Sequence, residues 1–182
     1  SLVTWQGGIS LPDRDYYLST EASMVKIREA YKTHLEKMLQ LSGIENPAEN
    51  ATKIFALETE IAKIHQRKED NRDMTKLYNP YKVEDFKKLM PTFNWTAMME
   101  KAGVGKEKSA IIAQVDYQKN LDGLIQKTPI DTWKVFLKWG IINNASSYLT
   151  TELDNQQFEF NGKLLNGTEK QREDWIRAVS TV

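Results

Sequence analysis

The sequence contains no cysteine. That absence excludes disulfides, thiol nucleophiles and zinc sites built on thiolates, and it leaves the redox compartment open. Net charge is absent too: Lys and Arg total 25, and Asp and Glu total 25. A nucleic-acid reader, or a protein drawn to an anionic membrane, would carry a basic excess, so neither nucleic acid nor membrane is an expected partner. No apolar run approaches the roughly 18 residues of a membrane-spanning helix, and the first residues form no signal-like pattern. Fixed-period repeats and low-complexity linkers are missing as well. Ser1 stands where an initiator Met would, and Val182 falls inside a helical pattern, which predicts a piece of a longer protein. At 182 residues the expectation is a single domain, 1–182, burying about 70% of its unfolded surface.

Catalytic patterns are equally scarce. The only histidines are His34, followed by Leu35, and His65, followed by Gln66; neither has a second histidine four positions on. The H-E-x-x-H of a helical zinc peptidase site is therefore absent. Each histidine lies on or beside an apolar helical stripe and is expected to be a half-buried packing residue. No G-x-S-x-G occurs. "GVGKEKS", 103–109, has Glu100 where a phosphate loop needs its first glycine, and reads as a helix stop followed by a solvated charge run. In "KEDNRD", 68–73, a calcium loop counted from Asp70 would place Thr75 and Tyr81 at its glycine and closing glutamate, so this is a polar turn. Glu58 and Glu60 are two apart, point to different sides of a helix and cannot pair as acid and base. Sequons at Asn50, Asn94, Asn144 and Asn166 arise readily by chance. Met24, Met38 and Met74, with the Trp and Tyr stripes, read as core rather than as a ligand groove. No catalytic, cofactor-binding or metal-binding residue is assigned, and no cofactor is expected within this stretch.

What the sequence has is helical periodicity. After Ser19-Thr20, the expected cap, apolar residues fall at Met24, Ile27, Tyr31, Leu35, Met38 and Leu41, and Gly43 supplies the stop. Asn46-Pro47 starts a second helix with the stripe Ile54, Leu57, Ile61 and Ile64; the short connection predicts an antiparallel hairpin. "VEDFKKLM" and "NWTAMMEKA" are short helices, the first stopped by Pro91 and the second capped by Asn94 with Gly103 after it. A helix over about 116–127 precedes a long one opened by Thr128-Pro129, with Ile130, Trp133, Phe136 or Leu137, Ile141 and Tyr148 on one side. Two last helices, near 154–165 and 169–181, are split by Asn166-Gly167. Short strands are possible near 2–6 and 110–115. The fold class is all-α, mainly helical with antiparallel helix packing.

One stretch remains unexplained. "GGISLPDRDYYL", 7–18, collects two glycines, a proline, Arg14-Asp15 and two tyrosines. It resembles the G-L-G-L-P-x-R-D-Y-Y-L signature of the neprilysin and endothelin-converting-enzyme family of zinc metalloendopeptidases. Further segments follow in the family's order: "ALETEIAKIHQRKEDNRDMTKLYN" is similar to its L-E-x-x-I-A segment and Y-N pair, and "MPTFNWTAMM" to its P-x-F-x-W. "TWKVFLKWGIINNASSYL" and "GTEKQREDWIRAV" resemble its W-x-x-Y-L-x-W and R-x-x-W-x-R-x-V. The resemblance covers essentially the whole chain.

It implies a two-domain parent that hydrolyses small peptides with zinc, of which this chain is part of the helical side covering the active-site cavity, the zinc domain not being included. The implied partners are the remainder of the peptidase and, through it, peptide substrates; zinc belongs to the parent, and the location is extracytoplasmic. The family's zinc segments and substrate-binding arginine fall outside the matched region. Ser10 replaces the family's second glycine, so the backbone there needs no positive φ. Ala178 replaces a cysteine of vertebrate members, which favours a bacterial member. The competing expectation is a stand-alone helical scaffold or interaction module. Within 7–18 the glycines and Pro12 are expected to set a turn that Arg14 and Asp15 fasten, with Arg14 bound to an acidic side chain or to backbone carbonyls.

Overall fold

The computed structural model describes residues 2–179. In chain order, strand β1 (Leu2–Thr4) leads through a one-turn helix α1 (Asp15–Leu18) to the long helices α2 (Ala22–Leu41) and α3 (Pro47–Ile64). Shorter elements follow: α4 (Met74–Leu77), β2 (Pro80–Lys82), α5 (Phe86–Leu89), α6 (Trp95–Lys101) and β3 (Ser109–Ile112). The chain then forms α7 (Val115–Lys127), α8 (Ile130–Ala145) and α9 (Thr151–Gln157), widens into a π-helical stretch over Phe158–Leu165, and continues to α10 (Asp174–Val179). It is mainly helical, as expected. Contacts gather into two compact units, Ser1–Leu18 with Leu57–Ile130, and Ser19–Ala56 with Asp131–Val182.

In the first unit β3 is the central strand of a three-stranded sheet, β1 pairing parallel to it and β2 antiparallel. Two strands were expected, and they are shorter than 2–6 and 110–115. The third, β2, begins with Pro80, which lacks a ladder donor and is tolerated because β2 is an edge strand. Ala110 and Ile112 face a core of Phe86, Leu89, Met90, Trp95 and Met99, in which the Phe86 and Trp95 rings lie 4.7 Å apart. The sequence dictates the ends of α6 well. The Asn94 side chain accepts from the Ala97 N–H at 3.0 Å, and Gly103, at φ 73°, lets the chain turn so that the Val104 N–H reaches the Met99 carbonyl. Asp122 on α7, 4% exposed, accepts from the Thr92 hydroxyl at 2.7 Å and from the Gln126 amide.

In the second unit α2 buries Tyr31, Leu35, Met38 and Leu39, and Leu41 is exposed. Its start differs from expectation. Glu21 occupies the cap position without a side-chain bond, and the Ser19 hydroxyl accepts from the Glu21 N–H at 3.2 Å, forming a turn before the helix. Tyr31 of α2 meets Phe55 of α3 at 6.3 Å, and the Lys32 ammonium sits over the same ring, as a short connection requires. The Asn46 carbonyl accepts the first α3 bond, but Asn46 itself sits at φ 50°, a left-handed position asparagine tolerates.

The expected stripe of α8 is not its buried face. Val135 and Trp139 are buried, whereas Ile130, Leu137 and Ile141 are exposed and Tyr148 lies beyond the helix in a 3₁₀ turn. A helix apolar on several sides offers more than one face at a period of 3.6, and neighbours choose which is covered. Met74 is likewise exposed rather than core. The last two helices also shift: α9 starts at Thr151, whose preceding Thr150 hydroxyl caps the Leu153 N–H, and α10 starts at Asp174 rather than 169. Gly167 is left-handed, as its signal indicated. Positions 180 and 181 of the expected final helix lie outside the described residues.

Candidate functional site

The densest polar cluster is the corner formed by residues 7–18, in the first unit. Gly8 takes φ 86°, a left-handed turn that favours glycine, and Ser10 needs no such conformation. The chain then folds back over the C-terminal half of α3. The Tyr17 hydroxyl accepts from the Ser10 and Leu11 N–H groups at 3.1 and 3.0 Å and donates to Glu58 Oε2 at 2.8 Å. Ser10 Oγ donates to the other oxygen, Glu58 Oε1, at 2.6 Å. Arg14 Nη1 donates to the His65 carbonyl at 3.0 Å, the backbone partner expected of it. Asp15 is exposed and contributes through its backbone, whose N–H donates to Asp13 Oδ1. A fastening role for the Asp15 carboxylate is therefore corrected: at the start of α1 its side chain points to water.

A second ring of bonds joins this corner to α7 and the end of α3. The Gly7 carbonyl accepts from both His65 Nε2 and the Tyr117 hydroxyl at 2.9 Å. Because a carbonyl can only accept, the His65 proton resides on Nε2. Gln6 exchanges two bonds with the Gln66 backbone, and its own N–H donates to the buried Gln114 side chain. Beside the corner lies a cleft of about 310 Å³, bordered by Trp5, Pro12, Arg14, His65, Lys68 and Asn71.

The electrostatics oppose ionisation. Burial raises the Tyr17 hydroxyl far above its ordinary range, and the adjacent Glu58 raises it further. Burial likewise raises Tyr117 and lowers His65, and the Arg14 guanidinium lowers His65 as well. Glu58 is 1% exposed with a hydroxyl donor on each oxygen. With both oxygens accepting from hydroxyls of the corner, Glu58 ties residues 10–17 to α3.

His34 lies in the second unit, 2% exposed, stacked on Phe160 at 4.6 Å and meeting Trp139 edge-on. The Gln156 amide donates to its Nδ1 at 3.2 Å. Burial pushes its pKa down to about 4, so it is a neutral packing histidine at physiological pH. Glu60, in contrast to Glu58, is half-exposed and paired with Lys63, so the two carboxylates do lie on different sides of α3. The residues present do not fit a zinc ion. His65 Nε2 is committed to Gly7, His34 is enclosed by aromatics, and among the described residues no three His, Cys, Asp or Glu side chains converge as a metal site.

Sequence reasoning did not single out Glu58 as the hub, nor Tyr117 and Gln114 as its supports. A signal for Glu58 was available: it is four residues after Ile54 and three before Ile61, in register with the buried stripe. Nothing local announces Tyr117, whose partner is 110 positions away.

The model of the N-terminal region of peptidase family M13 matches residues 1–182. Endothelin-converting enzyme-like 1 of Rattus norvegicus is 26% identical over 173 residues, 92% of this chain and 22% of that protein. The endothelin-converting enzyme homolog of Locusta migratoria is 29% identical over 188 residues, 96% of this chain and 26% of that protein. Among solved structures, the Mycobacterium tuberculosis zinc metalloprotease ZMP1 in complex with inhibitor superposes with a TM-score of 0.91 at 28% identity, covering 98% of this chain and 28% of that one. The chain thus spans about a quarter of the length of these relatives.

Proposed function

The chain belongs to peptidase family M13, and from that premise we propose that it is a non-catalytic helical portion of a neprilysin-like zinc metalloendopeptidase. In this reading residues 1–182 act as one domain of the parent. They form part of the wall over the active-site cavity, limit access to small peptides and keep bulk water out. The parent hydrolyses peptide bonds, its zinc ligands come from outside this stretch, and its partners here are the catalytic domain and, through it, peptide substrates. It works outside the cytoplasm and comes from a bacterium; the absence of cysteine accords with a member that lacks the disulfides of vertebrate relatives.

The observation that carries the reading is the family match along residues 1–182. The commitment of the polar groups at the 7–18 corner to backbone and to one another supports it. The test is to read the gene past Val182 and assay both lengths. H-E-x-x-H followed by E-x-x-x-D, with zinc-dependent cleavage by the parent and none by residues 1–182, is the expected result. A frame ending without those segments, or stoichiometric zinc and cleavage in residues 1–182 alone, overturns it.

A further inference from the structure

On the border of the 310 Å³ cleft in the first unit, three carbonyls are already engaged. That of Gly7 accepts from His65 and Tyr117, that of His65 from Arg14, and that of Gln66 from Gln6. A chain of amides then fixes the sense of Asn71. The Gln6 N–H can only donate, so Gln114 turns Oε1 to it and Nε2 to Asn71, whose Oδ1 accepts at 3.0 Å. Asn71 keeps its Nδ2, a donor with no acceptor among the described residues.

The charges have the matching sign. Arg14 and Lys68 border the cleft, and among the described residues no carboxylate lies within ion-pairing distance of either; the buried Arg14 Nε has no acceptor at all. The bond from Nη1 to the His65 carbonyl nevertheless holds the guanidinium in place. Asp13 is the one carboxylate on the border, and the Asp15 N–H engages it at 2.8 Å; His65, kept neutral by burial, adds no charge. Trp5, 54% exposed, forms an apolar wall with Ile9 and Pro12.

We propose that this cleft binds a small organic carboxylate with an apolar body, the carboxylate meeting Arg14, Lys68 and the Asn71 amide while the body lies against Trp5. The volume is at the small end for ligand sites, which suits a molecule of amino-acid to dipeptide size. An inorganic anion would leave the Trp5 wall uncovered. The inference uses only the residues of this cleft, so it stands or falls apart from the reading of the chain as part of a peptidase.

The test uses the full-length protein labelled with fluorotryptophan, in which the Trp5 fluorine resonance is identified by its loss in Trp5→Phe. N-acetyl-leucine is expected to shift that resonance saturably, with a Kd of about 1 mM. N-acetyl-leucinamide, which lacks the carboxylate, and inorganic phosphate, which lacks the body, are expected to bind at least about tenfold more weakly. Substituting Arg14 could loosen the corner, so Lys68→Glu, at an exposed side chain, carries the charge test. It should weaken binding at least about tenfold, while Lys106→Glu, outside the cleft, leaves the Kd within about twofold. No shift at about twentyfold above that Kd overturns the proposal, whether the affinity is too low or the protein itself covers the cleft. Equal binding of the amide would make the cleft merely apolar, and equal binding of phosphate would mean an adventitious ion only. Either result overturns it, as does an unchanged Kd in Lys68→Glu.

Discussion

At the scale of single residues, the Tyr17 hydroxyl serves two backbone donors and one buried carboxylate at once. Removing it takes the shared acceptor from the Ser10 and Leu11 N–H groups and one donor from Glu58, so Tyr17→Phe should cost about 1–3 kcal/mol in urea unfolding. Because the groups act together, Tyr17→Phe and Glu58→Gln should be non-additive. Additivity within about 0.5 kcal/mol would mean that they are not one network. Arg14→Ala should lower stability through loss of its bond to the His65 carbonyl and leave kcat of the parent unchanged; lost turnover at unchanged stability would assign Arg14 to the chemistry instead.

His34 sets a pH dependence. Its folded pKa, about 4, lies below the ordinary 6.5, so the unfolded chain binds the proton first as pH falls. Its contribution is therefore complete above about pH 6.5 and is lost on descending toward pH 4, a span of roughly 3 kcal/mol. The stability difference between wild type and His34→Phe should move by about that amount across the window, and a constant difference would show that burial does not hold the ring neutral.

At the scale of elements, what could be read from the sequence was what is local. Asn94, Gly103, Pro47 and Gly167 mark helix ends where the structure has them, because caps and left-handed turns involve neighbours within one turn. Asn94→Ala should accordingly cost about 1 kcal/mol of stability. The covered face of α8 was not legible, since apolar spacing identifies a face and not its depth. Nor was the helical widening at Phe158–Leu165, where the Phe158 ring lies over Gly162. A Cβ at 162 would run into the Phe158 ring at Cδ2. Gly162→Ala is therefore expected to lower Tm, and Phe158→Ala in the same chain to restore part of the loss; a neutral Gly162→Ala would mean that the ring moves aside freely. The 7–18 corner was legible as a turn with an inward arginine, but its hub was not, because Glu58 is 41 positions from Tyr17.

At the scale of the whole molecule, the equal counts of basic and acidic residues predict no retention on heparin at low salt, and retention that weakens with salt would reveal a basic surface. Residues 47–56 of α3 belong to one compact unit and 57–64 to the other. If residues 1–182 behave as one domain, Ala56→Pro should speed hydrogen exchange at Leu39 in α2 and at Ile112 in β3 alike; an effect confined to one unit would separate them. The small sheet has a consequence of another kind, in time. β1 pairs with β3, and Gln6 bonds to Gln114 from 108 positions away. At about 5–20 residues per second of synthesis, the first strand emerges from the ribosome and waits several seconds or more for its partner. During that interval its edge is open to any neighbouring chain, so nascent protein is most prone to mispairing before β3 has appeared.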